Sequence, residues 1–219
     1  MRPITATFLL LSATSCSTLP DTEASTAPFS TPQGLYLGVG VMQAELGDDF
    51  EGNTALVGAF DTILIPDADD GTGYALAIGA RSGDSAYEMS WEQTTHDGSI
   101  LSTPAETESS ALAFDYRRFY RTESTVQPFW TLGFGLHWAT LQDAASDGSS
   151  VGDADLFGFG LRGGGGVSMF LSDNLGLTLQ ALYRHVEFTT ADGLVSSGSV
   201  DEGVDGSGLA FSLMANLYL

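Results

Sequence analysis

Between Gly34 and Leu219 the chain alternates, residue by residue, between bulky apolar side chains and small ones. In 128–141, Trp130, Leu132, Phe134, Leu136 and Trp138 share one parity, while Thr131, Gly133, Gly135 and His137 share the other. In 208–219, Leu209, Phe211, Leu213, Ala215, Leu217 and Leu219 alternate with Ala210, Ser212, Met214, Asn216 and Tyr218. A period of two sends successive side chains to opposite faces of a β-strand, and the spacing of an amphipathic helix is hard to find. Eight such runs lie at 34–46, 73–82, 85–94, 110–121, 128–141, 156–171, 175–187 and 208–219.

The composition of the second face decides between a soluble sheet and a membrane one. That face carries Gly, Ala and Ser with a sparse set of charges: Arg81, Glu88, Glu92, Asp115, Arg117, Arg162 and Arg184. A surface in water would carry lysines and long polar side chains, yet all seven basic residues here are arginines. Small residues with few ions suit a narrow enclosed lumen, and the broad apolar face then meets lipid. Strands cross a bilayer only as a closed barrel, because an open edge leaves N–H and C=O groups unpaired in hydrocarbon. Aromatics near strand ends, such as Trp130 and Trp138, match interfacial girdles.

Connection lengths alternate. Long ones at 47–72, 95–109, 142–155 and 188–207 are separated by short ones at 83–84, 122–127 and 172–174. Outer-membrane barrels have this asymmetry, with short periplasmic turns and long extracellular loops. A two-residue turn at Gly83-Asp84 pairs Arg81 with Ala86 and Gly79 with Glu88, all on the luminal face. A three-residue turn at Ser172, Asp173 and Asn174 pairs Leu171 with Leu175, both facing lipid. Two turns giving consistent faces support the register, since a slip of one residue would invert a strand.

On this pattern the chain resembles the eight-stranded outer-membrane barrels of the OmpA, OmpX and OmpW type over Gly34 to Leu219. The expected fold is all-β, a closed eight-stranded antiparallel transmembrane β-barrel with up-and-down meander order. The resemblance implies outer-membrane lipid and lipopolysaccharide as surroundings and the barrel assembly machinery during biogenesis. It also implies extracellular loops and periplasmic termini. Three features depart from the family: no peptidoglycan-binding domain follows the barrel, the last residue is Leu219 rather than Phe, and the loops contain no basic residue.

The stretch "FGFGLRGGGGVSMF" at 157–170 fits this scheme. Phe157, Phe159 and Leu161 face lipid, Gly158 and Gly160 line the lumen, and Arg162 fills it. Gly164 and Gly166 are expected to make room for long luminal neighbours, with Gly163 and Gly165 on the lipid side. In so small a barrel, side chains fill the interior, so the seven luminal charges are expected to interleave as a polar core.

The N-terminus "MRPITATFLLLSATSC" has a positive start, a short apolar segment and small residues before Cys16, the pattern of a secretory signal peptide. It also resembles a bacterial lipobox, which makes Cys16 the expected lipidation site. Residues 1–15 are then a signal peptide and residues 16–33, rich in Ser, Thr and Pro, a tether to the barrel at 34–219.

With 28 acidic residues against 7 basic ones and a formal charge of -21, the chain is unsuited to nucleic acid. The loops hold the acidic runs "GDDFEG", "PDADDG", "SDGSSVGDAD" and "SVDEGVDG". None has EF-hand spacing. A solvated acidic surface with at most weak divalent-cation binding is expected, with no dedicated metal site and no cofactor. The apolar segment "ALVGAFDTILIP" in the first loop is read either as a hairpin extending the barrel or as a partner surface. His96 falls in a loop and His137 in the lumen. His185 and Glu187 fall on the lipid side at the loop end. Outer-membrane lipid A deacylases carry a serine, histidine and glutamate there, but the sequence assigns no serine to the pair, and no catalytic residue is expected. The function read from the sequence is a structural or surface-interaction role. A narrow path for ions or small apolar molecules is second, and a lipid A-modifying hydrolase third.

Overall fold

The computed structural model describes residues 31–57, 61–146, 151–193 and 197–219. Cys16 and the signal-peptide residues lie outside them. The described strands are β1 (Gly34–Ala44), β2 (Thr54–Val57), β3 (Asp61–Leu64), β4 (Asp67–Ala68), β5 (Gly71–Ser82), β6 (Ser85–Ile100), β7 (Thr103–Phe119), β8 (Val126–Ser146), β9 (Val151–Phe170), β10 (Leu175–Asp192), β11 (Ser197–Asp205) and β12 (Gly208–Tyr218).

Eight of them form a closed antiparallel ring in the order β1-β5-β6-β7-β8-β9-β10-β12, and β12 returns to β1 through pairs from Tyr36↔Tyr218 to Ala44↔Ala210. The order is the expected meander. Arg81 pairs with Ala86 and Gly79 with Glu88, and the Leu171 N–H donates to the Leu175 carbonyl at 2.8 Å, so both turns keep their expected register. The outward face carries Leu35, Leu37, Val39, Val41, Leu132, Phe134, Leu213 and Leu217, all exposed. Tyr36, Ala75, Glu88, Arg117, Arg162 and Met214 point inward and are buried.

The long connections are not open loops. β6 and β7 run on as a ladder to Ile100↔Thr103, turning at Leu101 and Ser102, whose φ values are 49° and 71°. β8, β9 and β10 likewise extend through much of 142–155 and 188–192. Alternation continues there with Thr, Ser, Asp and Glu on the outward face, so a search for apolar stripes ends the strands too early.

A second closure sits at this loop end. β8 pairs with β3, β3 with β2, β2 with β11, and β11 with β10, while β9 bridges β8 and β10. The ring β8-β9-β10-β11-β2-β3 therefore shares three strands with the first. Its inside is an apolar core of Phe50, Val57, Ile63, Ile65, Leu141, Leu156, Val186, Phe188, Val200 and Val204. Of the two readings of "ALVGAFDTILIP", the hairpin holds: Val57 and Ile63 are fully buried in that core rather than offered to a partner. Residues 58–60 at its tip lie outside the described ones.

Candidate functional site: the filled lumen

Along its axis the lumen is filled by three kinds of chemistry. At the turn end, Tyr36, Phe119, Phe129, Phe170 and Tyr218 form an aromatic cluster. The rings of Phe119 and Phe129 lie 5.3 Å apart, and those of Tyr36 and Tyr218 5.1 Å. The Arg81 guanidinium sits 3.9 Å above the Phe119 ring, where a ring face attracts a cation. Arg81 Nη2 also donates to Gln127 Oε1 at 2.5 Å, and its Nε donates to the Gly83 carbonyl at 3.3 Å. Gln127 is fully buried. Its amide nitrogen reaches Thr31 Oγ1 at 2.8 Å and the carbonyls of Thr122 and Ser124 at 3.0 and 2.8 Å. Thr31, just ahead of β1, thus lies across the turn end.

In the middle, ion pairs cross the lumen. The Arg162 fork takes both oxygens of Asp115, with Nε to Oδ1 at 2.7 Å and Nη2 to Oδ2. Its Nη1 reaches Glu92 Oε1 at 2.5 Å, and Nη2 reaches Ser90 Oγ at 3.0 Å. Such planar bidentate pairing is what a guanidinium offers and an ammonium does not. Arg117 Nη2 lies 2.5 Å from Glu88 Oε1, and Tyr36 Oη donates to Glu88 Oε2 at 2.9 Å. Arg184 stands at the edge, 3.9 Å from Glu92 and donating to the Glu45 carbonyl at 3.2 Å. The wall opposite is apolar, with Met42, Ala75, Leu182 and Met214. The space left between the two holds about 10 Å³, room for roughly one water molecule. Beyond it lies the apolar core of the second ring.

Six of the seven expected luminal charges thus fall into two neighbouring groups, Arg117–Glu88 and Asp115–Arg162–Glu92–Arg184. Arg81 does not. Glu88 spends both oxygens on Arg117 and Tyr36, while Arg81 lies nearer the turn, against aromatic rings and the Gln127 amide. Gln127 was missed by sequence reading. Its signal was weak: one polar residue, in phase with Phe129 on the inward face, next to a turn.

The glycine run meets the expectation in part. A Cβ on Gly164 would collide with the Ala181 carbonyl of β10, so this glycine allows close strand approach. One on Gly166 would strike both the Leu179 carbonyl and the luminal Phe129 ring, so Gly166 also makes room for a long neighbour, though not for Arg162. Room for the ion pairs comes from Gly133, where a Cβ would strike the Asp115 carboxylate.

His137 is buried in the lumen. His96, expected in a loop, is fully buried on β6, with its ring against Gly71. Its Nδ1 lies 3.1 Å from the Asp69 carbonyl and its Nε2 3.0 Å from Thr94 Oγ1. Burial lowers its pKa below the ordinary 6.5, and Arg184 lowers it further; the Asp69 carbonyl and the Asp70 charge work against both. Among the described residues, no group of three or more His, Cys, Asp or Glu side chains is arranged to hold a metal ion.

The molecule is similar in shape to neisserial surface protein A, with a TM-score of 0.55 and 15% identity over 85% of this chain and 97% of that one. It is similar also to the outer membrane protein OprG from Pseudomonas aeruginosa, with a TM-score of 0.57 and 15% identity over 86% of this chain and 97% of the other. The chain has the eight-stranded outer-membrane β-barrel fold. No protein-family model and no curated protein matches the sequence. In this barrel the girdle residues fall into two sets. Tyr87, Tyr116 and Trp130 stand together near the turn end, with Tyr116 and Trp130 rings 5.5 Å apart. Trp91, Trp138 and Phe157 stand nearer the loop end, with Trp91 and Trp138 5.9 Å apart.

Proposed function

We propose that the protein is a non-conducting barrel of the bacterial outer membrane, with a structural and surface-interaction role. One observation carries this reading: the lumen is closed twice, by the Arg162 network and again by the apolar core around Ile63 and Phe188. A path for water or ions would have to break buried charge pairs and then cross a dry region. The outward apolar band between two aromatic girdles supports membrane insertion. The carboxylates on the outward faces of the loop-end extensions, among them Asp97, Glu108, Asp153, Asp155 and Asp192, support an acidic surface outside the cell. Both chain ends then face the periplasm, where a lipid on Cys16 would hold the tether to the inner leaflet. Metabolic labelling with palmitate tests that anchor: wild type takes the label and Cys16→Ser does not.

Planar-bilayer recording of the purified protein tests the main reading. Long silent traces are expected at voltages where open porins conduct. Steady porin-like steps in the wild type would replace this reading with the transport one.

A further inference from the structure

On the outer wall, where the strands turn from apolar to polar, a histidine and a serine meet. The outward residues of β10 run from Leu175 through Leu179 to Tyr183, then change to His185 and Glu187. Those of β12 run from Leu217 back to Leu209, with Asp205 beyond it, and between them Ser207 is largely buried against β10. The ladder pairs Arg184 with Gly208 and Glu187 with Asp205. Between these pairs the Val186 N–H donates to the hydroxyl oxygen of Ser207, at 3.1 Å, rather than to a carbonyl. His185 Nδ1 lies 3.0 Å from the same oxygen. A serine oxygen can accept twice, so the ring tautomer sets this bond: with the proton on His185 Nε2, Ser207 donates and Nδ1 accepts. The serine backbone is held in turn, its N–H on Asp205 Oδ1 at 2.8 Å, while the Gly206 N–H donates to the Val186 carbonyl at 3.0 Å. A hydroxyl aimed at an imidazole, in a fixed backbone, is the arrangement that activates a serine.

We propose that Ser207 is a nucleophile with His185 as its general base, acting on the acyl esters of amphiphiles in the surrounding leaflet. The substrate class follows from position. Tyr183, Leu209, Leu161 and Phe159 are exposed around the pair and offer acyl chains an apolar wall. The polar side begins at His185 itself, and in an amphiphile the ester linkage lies where headgroup meets chain. In the reaction, Ser207 Oγ bonds to the ester carbonyl carbon as its proton passes to His185 Nδ1. The carbon–oxygen bond to the alcohol breaks, and the departing oxygen takes that proton. Water, giving a proton to the same imidazole, then attacks the acyl-serine and releases the fatty acid and the free hydroxyl. The pair lies outside the sealed lumen, so its failure would leave the non-conducting barrel untouched.

The experiment uses the full-length protein folded in detergent micelles, with a fluorophosphonate probe and p-nitrophenyl palmitate as ester. Wild type is expected to carry the phosphonate on Ser207, located by peptide mass spectrometry, and to release p-nitrophenol. Ser207→Ala should abolish both. His185→Gly should slow release by about 100-fold or more, the usual contribution of a general base, and added imidazole should restore part of it. Rescue by imidazole separates a base from a packing residue. Folding of each variant is read from its heat-modifiable mobility. If Ser207→Ala does not fold, the wild-type adduct decides alone. Absence of the adduct on folded wild type, or ester release unchanged in His185→Gly, overturns the proposal and leaves Ser207 as an acceptor for the Val186 amide only.

Discussion

Remove the Arg162 guanidinium, and Asp115 and Glu92 are left facing each other in a space from which water is nearly excluded. Stranding a buried charge costs about 3–5 kcal/mol, so Arg162→Ala should lower stability by about that amount in a urea unfolding series followed by gel mobility. Arg162→Lys keeps the charge but cannot bridge both Asp115 oxygens, and should fall between the variant and wild type. Leak in bilayer recordings is expected when Arg162→Ala is combined with Ile63→Asp, and not from Arg162→Ala alone, because the apolar core still seals the loop end. At this scale the sequence showed which residues turn inward and not whom they meet. Alternation assigns Arg81 and Arg162 to one face with equal ease. It contains nothing about depth along the tilted strands, and depth is what gives Arg162 two carboxylates and Arg81 a pair of rings and Gln127. The same blindness hid Ser207 from His185, 22 positions away in sequence.

Elements were legible where one face is uniformly apolar. The eight barrel strands announce themselves in this way, and their turns follow from residues such as Gly83, whose φ of 62° suits glycine. β2, β3 and β11 were not legible as parts of a second ring, because each is short and their pairing is set by contacts far apart in sequence. The hairpin of β2 and β3 nevertheless buries Val57 and Ile63 fully. Ile63→Asp should therefore unseal the loop end, seen as faster protease cleavage within residues 47–72 with the eight-stranded ring intact. His96 adds a pH dependence to the same region. Its folded pKa lies below the unfolded 6.5, so between the two values the unfolded chain binds the extra proton. Stability from this group is complete above about pH 6.5 and is lost as pH falls from there towards the folded value. Melting temperatures of wild type and His96→Gln, measured from pH 8 to pH 5, should show the wild type losing ground to the variant on the acid side.

For the whole molecule, the up-and-down order fixes which connections share an end. Gly83-Asp84, 120–125 and 171–174 lie together with residues 31–33 and Leu219, and the β6–β7 tip at Leu101 lies opposite. In a Cys16→Ser background, Leu101→Cys should react on intact cells with a maleimide that does not cross membranes. Asp173→Cys should react only after lysis. The reverse pattern would invert the orientation and with it the surface role. Global architecture was read from sequence because the bilayer imposes it: closure, even strand number and an apolar outside are requirements of hydrocarbon, not of particular contacts.

The shared strands β8, β9 and β10 impose an order of events on folding. β2 and β3 come early in the chain, yet Val57 finds its partner in Val200 and Ile63 in Ala145. The cap therefore has to wait, its apolar hairpin unpaired, until almost the entire polypeptide has arrived. Contacts this distant close slowly, since loop entropy must be lost before any bond compensates it. Sealing the mouth is thus expected to be a late step, after the wall is in place, and the nascent protein passes through a stage as an unlidded tube.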